Sequence, residues 1–458
     1  MMLVDHYHSL LQEGWGDAFE QERTLHRAME HAVAIPCCLG RRTISRAVCA
    51  LDRHHQDWSA DYKIYSRGKW NQDDLFNPVF DAYLQEETEG PVCVIFDDTK
   101  LAKEGVKVPG AFWQRDPLSP PFHVNFLYGL RFIQGSLLFP HYQRGEFDPR
   151  AIPVRFTEAP TVKKPGKRAS EAERQAYRKA KREHNLSVQT LELIRNVRRA
   201  LDLRGGFHRK LLCCLDGSFC NRTIFRAQVE RTELLARCRK DARLCFAAEP
   251  GQRRKYQQET FTPEQIRQEG HVAWREATVW FGGRRRSVRY KEVRDVLWRR
   301  GAGTRPLRLI VLAPQPYKLS LHSKTNYREP AYLLCTDLVS PIEQLIQACF
   351  DRWQIEVNHR DEKDILGVGQ AQVRSPRSVP RQPAFAVATY SMMLLAALQT
   401  FGPGRTDDYV ELPKWRKHAR RPSILDIITL MRKEINETRD SGLVNIHFSE
   451  NLFKYAYT

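Results

Sequence analysis

The residues best equipped for chemistry are three carboxylates in three distant stretches of the chain. An apolar run at residues 92–96 leads into Asp97-Asp98-Thr99, and a second at residues 211–215 leads into Asp216-Gly217-Ser218. The third is Glu356, in a stretch where Arg352, Glu356, His359 and Lys363 recur at helical spacing and share one stripe. Taken alone, an Arg-x3-Glu pair is what many solvated helix faces carry. Two apolar strands ending in Asp, with a helix bringing Glu to the same edge, would instead gather carboxylate oxygens around hard cations. That donor set suits two Mg2+ ions, with Mn2+ able to substitute. Such a pair activates a water or a 3′-hydroxyl and stabilises the leaving oxygen of a phosphodiester, which is phosphoryl-transfer chemistry.

These side chains need elements to hold them. Leu345, Ile346, Cys349, Trp353, Ile355 and Val357 predict one continuous helix over residues 341–364, free of Gly and Pro after its first position. Residues 1–88 read as helical, with amphipathic runs at 21–35, 43–53 and 73–85. After Gly40, a short helix capped by Thr43 or Ser45 could enter a major groove and turn Arg42 and Arg46 toward DNA; a plain helical support is the alternative. Strands are expected at 92–96, 122–129 and 130–139, with Lys100 in a basic loop beyond Asp98. Lys and Arg crowd residues 163–209, where Ser170 caps a long helix from Glu171 to about Leu201 that favours phosphate contact. A helix at 223–238 and a strand at 243–247 follow.

Residues 249–338 change character and read as an inserted β-rich module. Strands at 278–281 and 287–290 flank Gly282-Gly283, giving a hairpin tipped by Arg284, Arg285 and Arg286. Trp274, Trp280 and Trp298 could stack on an unpaired base, although Trp is more often a core residue. Beyond the Glu356 helix come a loop at 365–378, a core helix at 383–401 and a tail helix at 423–439. The expected divisions are 1–88, 89–248, 249–338, 339–402 and 403–458.

Composition constrains the partner. The chain has 458 residues, enough for several domains, and its 73 Lys and Arg against 54 Asp and Glu leave a formal charge of +19. A polyanion is therefore the natural partner, nucleic acid first and an anionic membrane surface second. No run of about 18 apolar residues spans a bilayer, and the N-terminus lacks signal-peptide character, so a cytoplasmic location is expected. The eleven cysteines are scattered without a Cys-x2-Cys pair, which points to reduced core thiols rather than zinc ligands or disulfides.

Several short words occur together in order: Phe96-Asp97-Asp98-Thr99, Leu215-Asp216-Gly217-Ser218-Phe219, Tyr332-Leu333-Leu334-Cys335-Thr336-Asp337, Arg352-Trp353-Gln354-Ile355-Glu356 and Gly367-Val368-Gly369-Gln370. As a set they resemble the DDE transposases of bacterial insertion sequences, specifically the insertion-sequence-four superfamily. The chain matches that family's Tyr-x2-Arg-x3-Glu-x6-Lys signature at Arg352, Glu356 and Lys363, with Cys349 in the Tyr position. The resemblance implies an α/β, RNase H-like catalytic domain with a β-strand insertion before the Glu and a helical N-terminal DNA-binding domain. It also implies Mg2+ dependence and cut-and-paste transposition by a homodimer that synapses two terminal inverted repeats. On this resemblance Asp98, Asp216 and Glu356 hold metal, and Arg352 and Lys363 hold phosphates. Asp98 is chosen over Asp97 because the family's first Asp precedes Thr. An inactive DNA-binding relative and a nuclease without transposition are the competing expectations.

Overall fold

The computed structural model describes residues 2–38, 40–105, 107–116, 119–120, 122–140, 149–320, 322–403 and 421–440. Parts of the expected tail, 404–420 and 441–458, lie outside the described residues. The fold is mixed α/β, with helices on both faces of a mixed central sheet.

The strands are β1 (Val92–Ala102), β2 (Phe112–Arg115), β3 (Phe126–Phe139), β4 (Arg150–Glu158), β5 (Leu211–Leu215) and β6 (Thr232–Arg237) in the first half. β7 (Arg275–Trp280), β8 (Arg285–Leu297), β9 (Pro306–Leu312), β10 (Pro316–Tyr317), β11 (Asn326–Tyr327) and β12 (Ala331–Cys335) follow. Ten of them form one sheet in the order β2-β3-β1-β5-β6-β12-β9-β8-β7, with β4 also paired to β3. β1, β5 and β6 run parallel, and the other pairings are antiparallel. The strands of the β-rich stretch thus join the central sheet through the pairing of β6 with β12. The Gly282-Gly283 hairpin is present: both glycines have positive φ, which suits a tight turn between twisted strands.

Helices α1 (Leu3–Gly14), α2 (Glu22–Cys37), α3 (Ile44–Ala50), α4 (Ser59–Ser66) and α5 (Asn77–Glu86) make the N-terminal region helical, as expected. The Thr43 side chain accepts from the Arg46 backbone N–H and so caps α3. The long basic helix is instead two, α6 (Glu171–Glu183) and α7 (Leu186–Leu203), because Asn185 starts a second helix by accepting from Val188 N–H. Ser170 and Glu173 form the capping box of α6, which buries no residue; α7 buries Leu191, Ile194, Val197 and Leu201 against the sheet. The helix expected at 223–238 stops early as α8 (Arg222–Arg226), and its apolar residues continue as strand β6. Residues 243–247 make only single bridges. Short α9 (Pro263–Gln268) precedes β7.

α10 (Ile342–Asp351) and α11 (Gln354–Arg360) are followed by a π-helical turn, Asp361–Ile365. α12 (Ser378–Phe401) is long and apolar enough to cross a membrane, yet its apolar stretch is mostly buried within the protein. Phe385 on α12 meets Trp15, Tyr65 and Trp70 of the N-terminal region, and burying rings of this size contributes about 2–3 kcal/mol each. α13 (Ile424–Asp440) packs on the same region, where Val4 N–H donates to Glu434 and Arg432 donates to the carbonyls of Pro36, Cys37 and Cys38.

Candidate active site

Strand alternation decides which aspartate meets the others. Cys93, Ile95, Leu212 and Cys214 lie on one face of the sheet, covered by Leu345, Ile346, Ala348 and Ile355 of α10 and α11. Successive side chains point to opposite faces, so Asp97 and Asp216, two residues beyond Ile95 and Cys214, belong to that face. The register pairs Phe96 with Leu215, which puts Asp97 and Asp216 on adjacent strands at the next step. α11 then brings Glu356 to the same place. The side chain of Arg352, from the break between α10 and α11, stands among all three. Its guanidinium nitrogens are 3.6 Å from Asp97, 3.9 Å from Asp216 and 4.0 Å from Glu356.

The structure thus brings together Asp97, Asp216 and Glu356, and the choice of Asp98 is revised. Asp98 faces the other side of β1 and accepts a 2.7 Å hydrogen bond from Arg131 on β3. The reason is that β1 does not end at Phe96. It runs on through Ala102, held by β3, so the two aspartates are interior strand residues with opposite orientations. Burial pushes the Asp97 carboxyl up to about 7; Asp216 and Glu356 add to the rise, and Arg352 and the Asp98 N–H oppose it. Asp216 and Glu356 keep 40% and 41% of their side-chain surface exposed, so an incoming group can reach them.

The stripe on the Glu356 helix is only partly realised. Lys363 remains near the site: burial lowers its pKa, while Glu362, Asp364, Glu356 and Asp98 hold its charge. His359 turns inward instead. Its Nε2 is buried without a hydrogen-bond partner, and burial pulls the ring down to about 3, so it is neutral. The π-helical turn also buries Glu362, whose Oε1 accepts from Gln134, the cross-strand neighbour of Asp97. Burial pushes Glu362 up to about 8.

Beside the carboxylates lies a cavity of about 680 Å³ lined by Arg237, Phe281, Tyr317, Tyr327, Arg328, Phe350, Arg352 and Trp353 among others. Trp353 is 58% exposed, unusual for Trp, and lines this cavity rather than the core; its place next to Arg352 was the available signal. The three tryptophans singled out by sequence are otherwise engaged. Trp280 is buried, Trp298 packs edge-on against Phe225, and Trp274 carries Arg289 and Lys291 over its ring.

The remaining cations divide between surface and structure. Arg46 on α3 and Arg284 on the hairpin are exposed, and Arg285 follows Arg284 at the start of β8, while Arg286 folds back to donate to the Phe281 carbonyl. Lys100 donates to the Arg115 carbonyl on β2. Arg42 is half-buried: its N–H donates to Gln370, and its side chain packs over Gly367 and donates to the Gly40 carbonyl. It joins the N-terminal helices to the turn at 367–371 rather than facing outward. Lys103 fixes that turn from below, donating to the carbonyls of Gly369 and Ala371 at 2.7 and 2.9 Å.

A second concave surface is strongly basic. A cavity of about 570 Å³ is lined by Arg243, Arg254, Lys255, Tyr256, Arg299 and Arg300, with no carboxylate in its wall. Arg299 lies over the Tyr256 ring.

The donor chemistry suits a hard dication: three carboxylates, two of them reachable from solvent, around one positive charge. Among the described residues no group of three ligands is already drawn close enough to hold a metal ion. The guanidinium of Arg352 occupies the space between them. Compared with known protein families and with curated proteins, the chain matches none.

Proposed function

We propose that this chain is a DDE transposase with an RNase H-like catalytic domain, which binds transposon-end DNA and carries out Mg2+-dependent cleavage and strand transfer. The observation that carries this reading is the convergence of Asp97, Asp216 and Glu356 from three separate segments onto one guanidinium. The antiparallel meander of β1, β3 and β4, continued by β5 and β6 parallel to β1, supports the RNase H-like assignment. The charge of +19 and the carboxylate-free basic cavity support a polyanionic partner.

In the proposed reaction Asp97, Asp216 and Glu356 hold the metal. Bound Mg2+ supplies Lewis-acid activation of the attacking hydroxyl and neutralises charge on the leaving oxygen. Lys363 and Arg352 hold phosphates at the cut, since each is a cation beside the carboxylates and Arg352 borders the cavity. The aromatic cavity excludes water on one side and offers Trp353 as a stacking surface for a nucleobase near the cleaved bond. Arg46 and the Arg284–Arg285 tip grip the backbone away from the chemistry. A homodimer acting on two ends in the cytoplasm, at the bacterial nucleoid, completes the picture.

The test is to seek inverted repeats in the DNA flanking the gene and to assay cleavage of duplex DNA carrying them, by wild type and by Glu356→Gln. Mg2+-dependent nicks at the repeat boundary, absent from Glu356→Gln, are the expected result. A wild type that binds the repeats and never nicks them leaves an inactive DNA-binding protein, and nicking without joining to target DNA leaves a nuclease.

A further inference from the structure

Arg352 is held in an unusual way. It forms no close two-pronged pair with one carboxylate; its nitrogens stand at 3.6, 3.9 and 4.0 Å from three of them. Nη1 is buried and has no hydrogen-bond partner. A bidentate guanidinium–carboxylate pair, with two short parallel bonds, is hard to displace; a guanidinium suspended among three carboxylates is held mainly by charge. One positive charge also leaves three carboxylates under-neutralised. The side chain is only partly buried and borders the cavity that contains Trp353 and Arg237, so it has somewhere else to go.

We infer that Arg352 is the resident counter-cation of the empty carboxylate cluster, and that divalent metal enters when a DNA phosphate draws the guanidinium away. This rests on the metal-dependent reading above and adds regulation to it. Without DNA, Arg352 keeps the carboxylates gathered and competes with the ion for them. With DNA, the guanidinium moves to a phosphate and the carboxylates turn to the metal. Metal and DNA therefore bind with positive coupling, and linkage makes the coupling reciprocal. The consequence is that the free protein is poorly loaded with metal and so is restrained from cutting DNA it has not properly engaged.

The experiment measures Mn2+ binding to the full chain by counting free Mn2+ with electron paramagnetic resonance, without DNA, for wild type, Arg352→Met and Glu356→Gln. Arg352→Met is expected to bind Mn2+ on the order of tenfold more tightly than wild type or better, since a positive charge competing for the same carboxylates has been removed. Glu356→Gln is expected to bind more weakly. Equal or weaker binding by Arg352→Met overturns the inference while leaving the metal site in place. If Mn2+ binds neither to Arg352→Met nor to wild type with duplex DNA, or Glu356→Gln leaves binding unchanged, the metal-dependent reading itself fails, and the inference with it. A measurement on wild type alone covers the case of a variant that does not fold. Adding duplex DNA, with the Mn2+ held by that duplex alone subtracted, is expected to tighten Mn2+ binding at least fivefold, and an unchanged affinity overturns the coupling.

Discussion

Replacing either neighbour on β1 by Asn separates two accounts of the site. Asp97→Asn removes a charge from the cluster around Arg352, whereas Asp98→Asn removes the partner of Arg131 on the opposite face. A unit charge about 4 Å from a cation is worth roughly 4 kcal/mol at an effective dielectric constant of 20. A dication doubles that figure, so a transition state that feels about half of it is slowed roughly 10³-fold, since each 1.4 kcal/mol is tenfold in rate. Asp98→Asn loses a 2.7 Å charge-assisted hydrogen bond between side chains that are 14% and 27% exposed. That costs about 1 kcal/mol of stability and leaves cleavage within about tenfold of wild type. The assay is single-turnover nicking of a labelled duplex at saturating Mg2+, with urea unfolding in parallel. An Asp97→Asn protein that cuts nearly as fast as wild type, or an inactive but stable Asp98→Asn protein, refutes the reasoning from strand alternation.

Glu362 has a folded-state pKa raised to about 8, so the unfolded chain ionises first and stability is lost as pH rises from about 4.3 toward 8. Glu362→Gln keeps the bond from Gln134 and can donate to the otherwise unpartnered Gln134 Oε1; its melting temperature should exceed that of wild type at pH 8, by an amount equivalent to a few kcal/mol, and most of that difference should vanish at pH 5. Lys103→Met leaves the carbonyls of Gly369 and Ala371 without their buried donor and should cost about 2–4 kcal/mol in urea unfolding; an unchanged midpoint would show that the turn is held by other interactions. Substituting Arg243, Arg254 and Arg300 by Ala should flatten the dependence of log K on log salt for duplex binding by about 0.9 for each phosphate no longer neutralised, and an unaltered slope would exclude the basic cavity from the DNA path.

The parts of the fold legible in the sequence were those set by local signals. Thr43, Ser170 and the Gly282-Gly283 pair act within a few residues, and the structure uses each as its chemistry dictates. What local pattern did not reveal depended on distant partners. β1 passes beyond its apolar run because β3 supplies hydrogen bonds to polar residues as far as Ala102, and this extension sends Asp97 and Asp98 to opposite faces. Residues 232–237 carry Leu234, Leu235 and Ala236, compatible with helix or strand, and only the vacancy between β5 and β12 decides for strand. Ideal helical geometry puts His359 on the Glu356 stripe, and the break at Arg352-Trp353 and the π-helical turn do not preserve that geometry. Arg42 looks free in the sequence because its partners, Gly367 and Gln370, lie far along the chain. Trp353 enters the sequence pattern only as a helix-spacing residue, because its exposure arises from the cavity beside it.

The most direct test is anomalous diffraction at the manganese edge from crystals of the protein bound to duplex DNA and Mn2+. The account predicts peaks between Asp97, Asp216 and Glu356, with carboxylate oxygens at about 2.1 Å and Arg352 swung onto a phosphate. Peaks that avoid these carboxylates, or a guanidinium still seated among them with Mn2+ bound elsewhere, would contradict it.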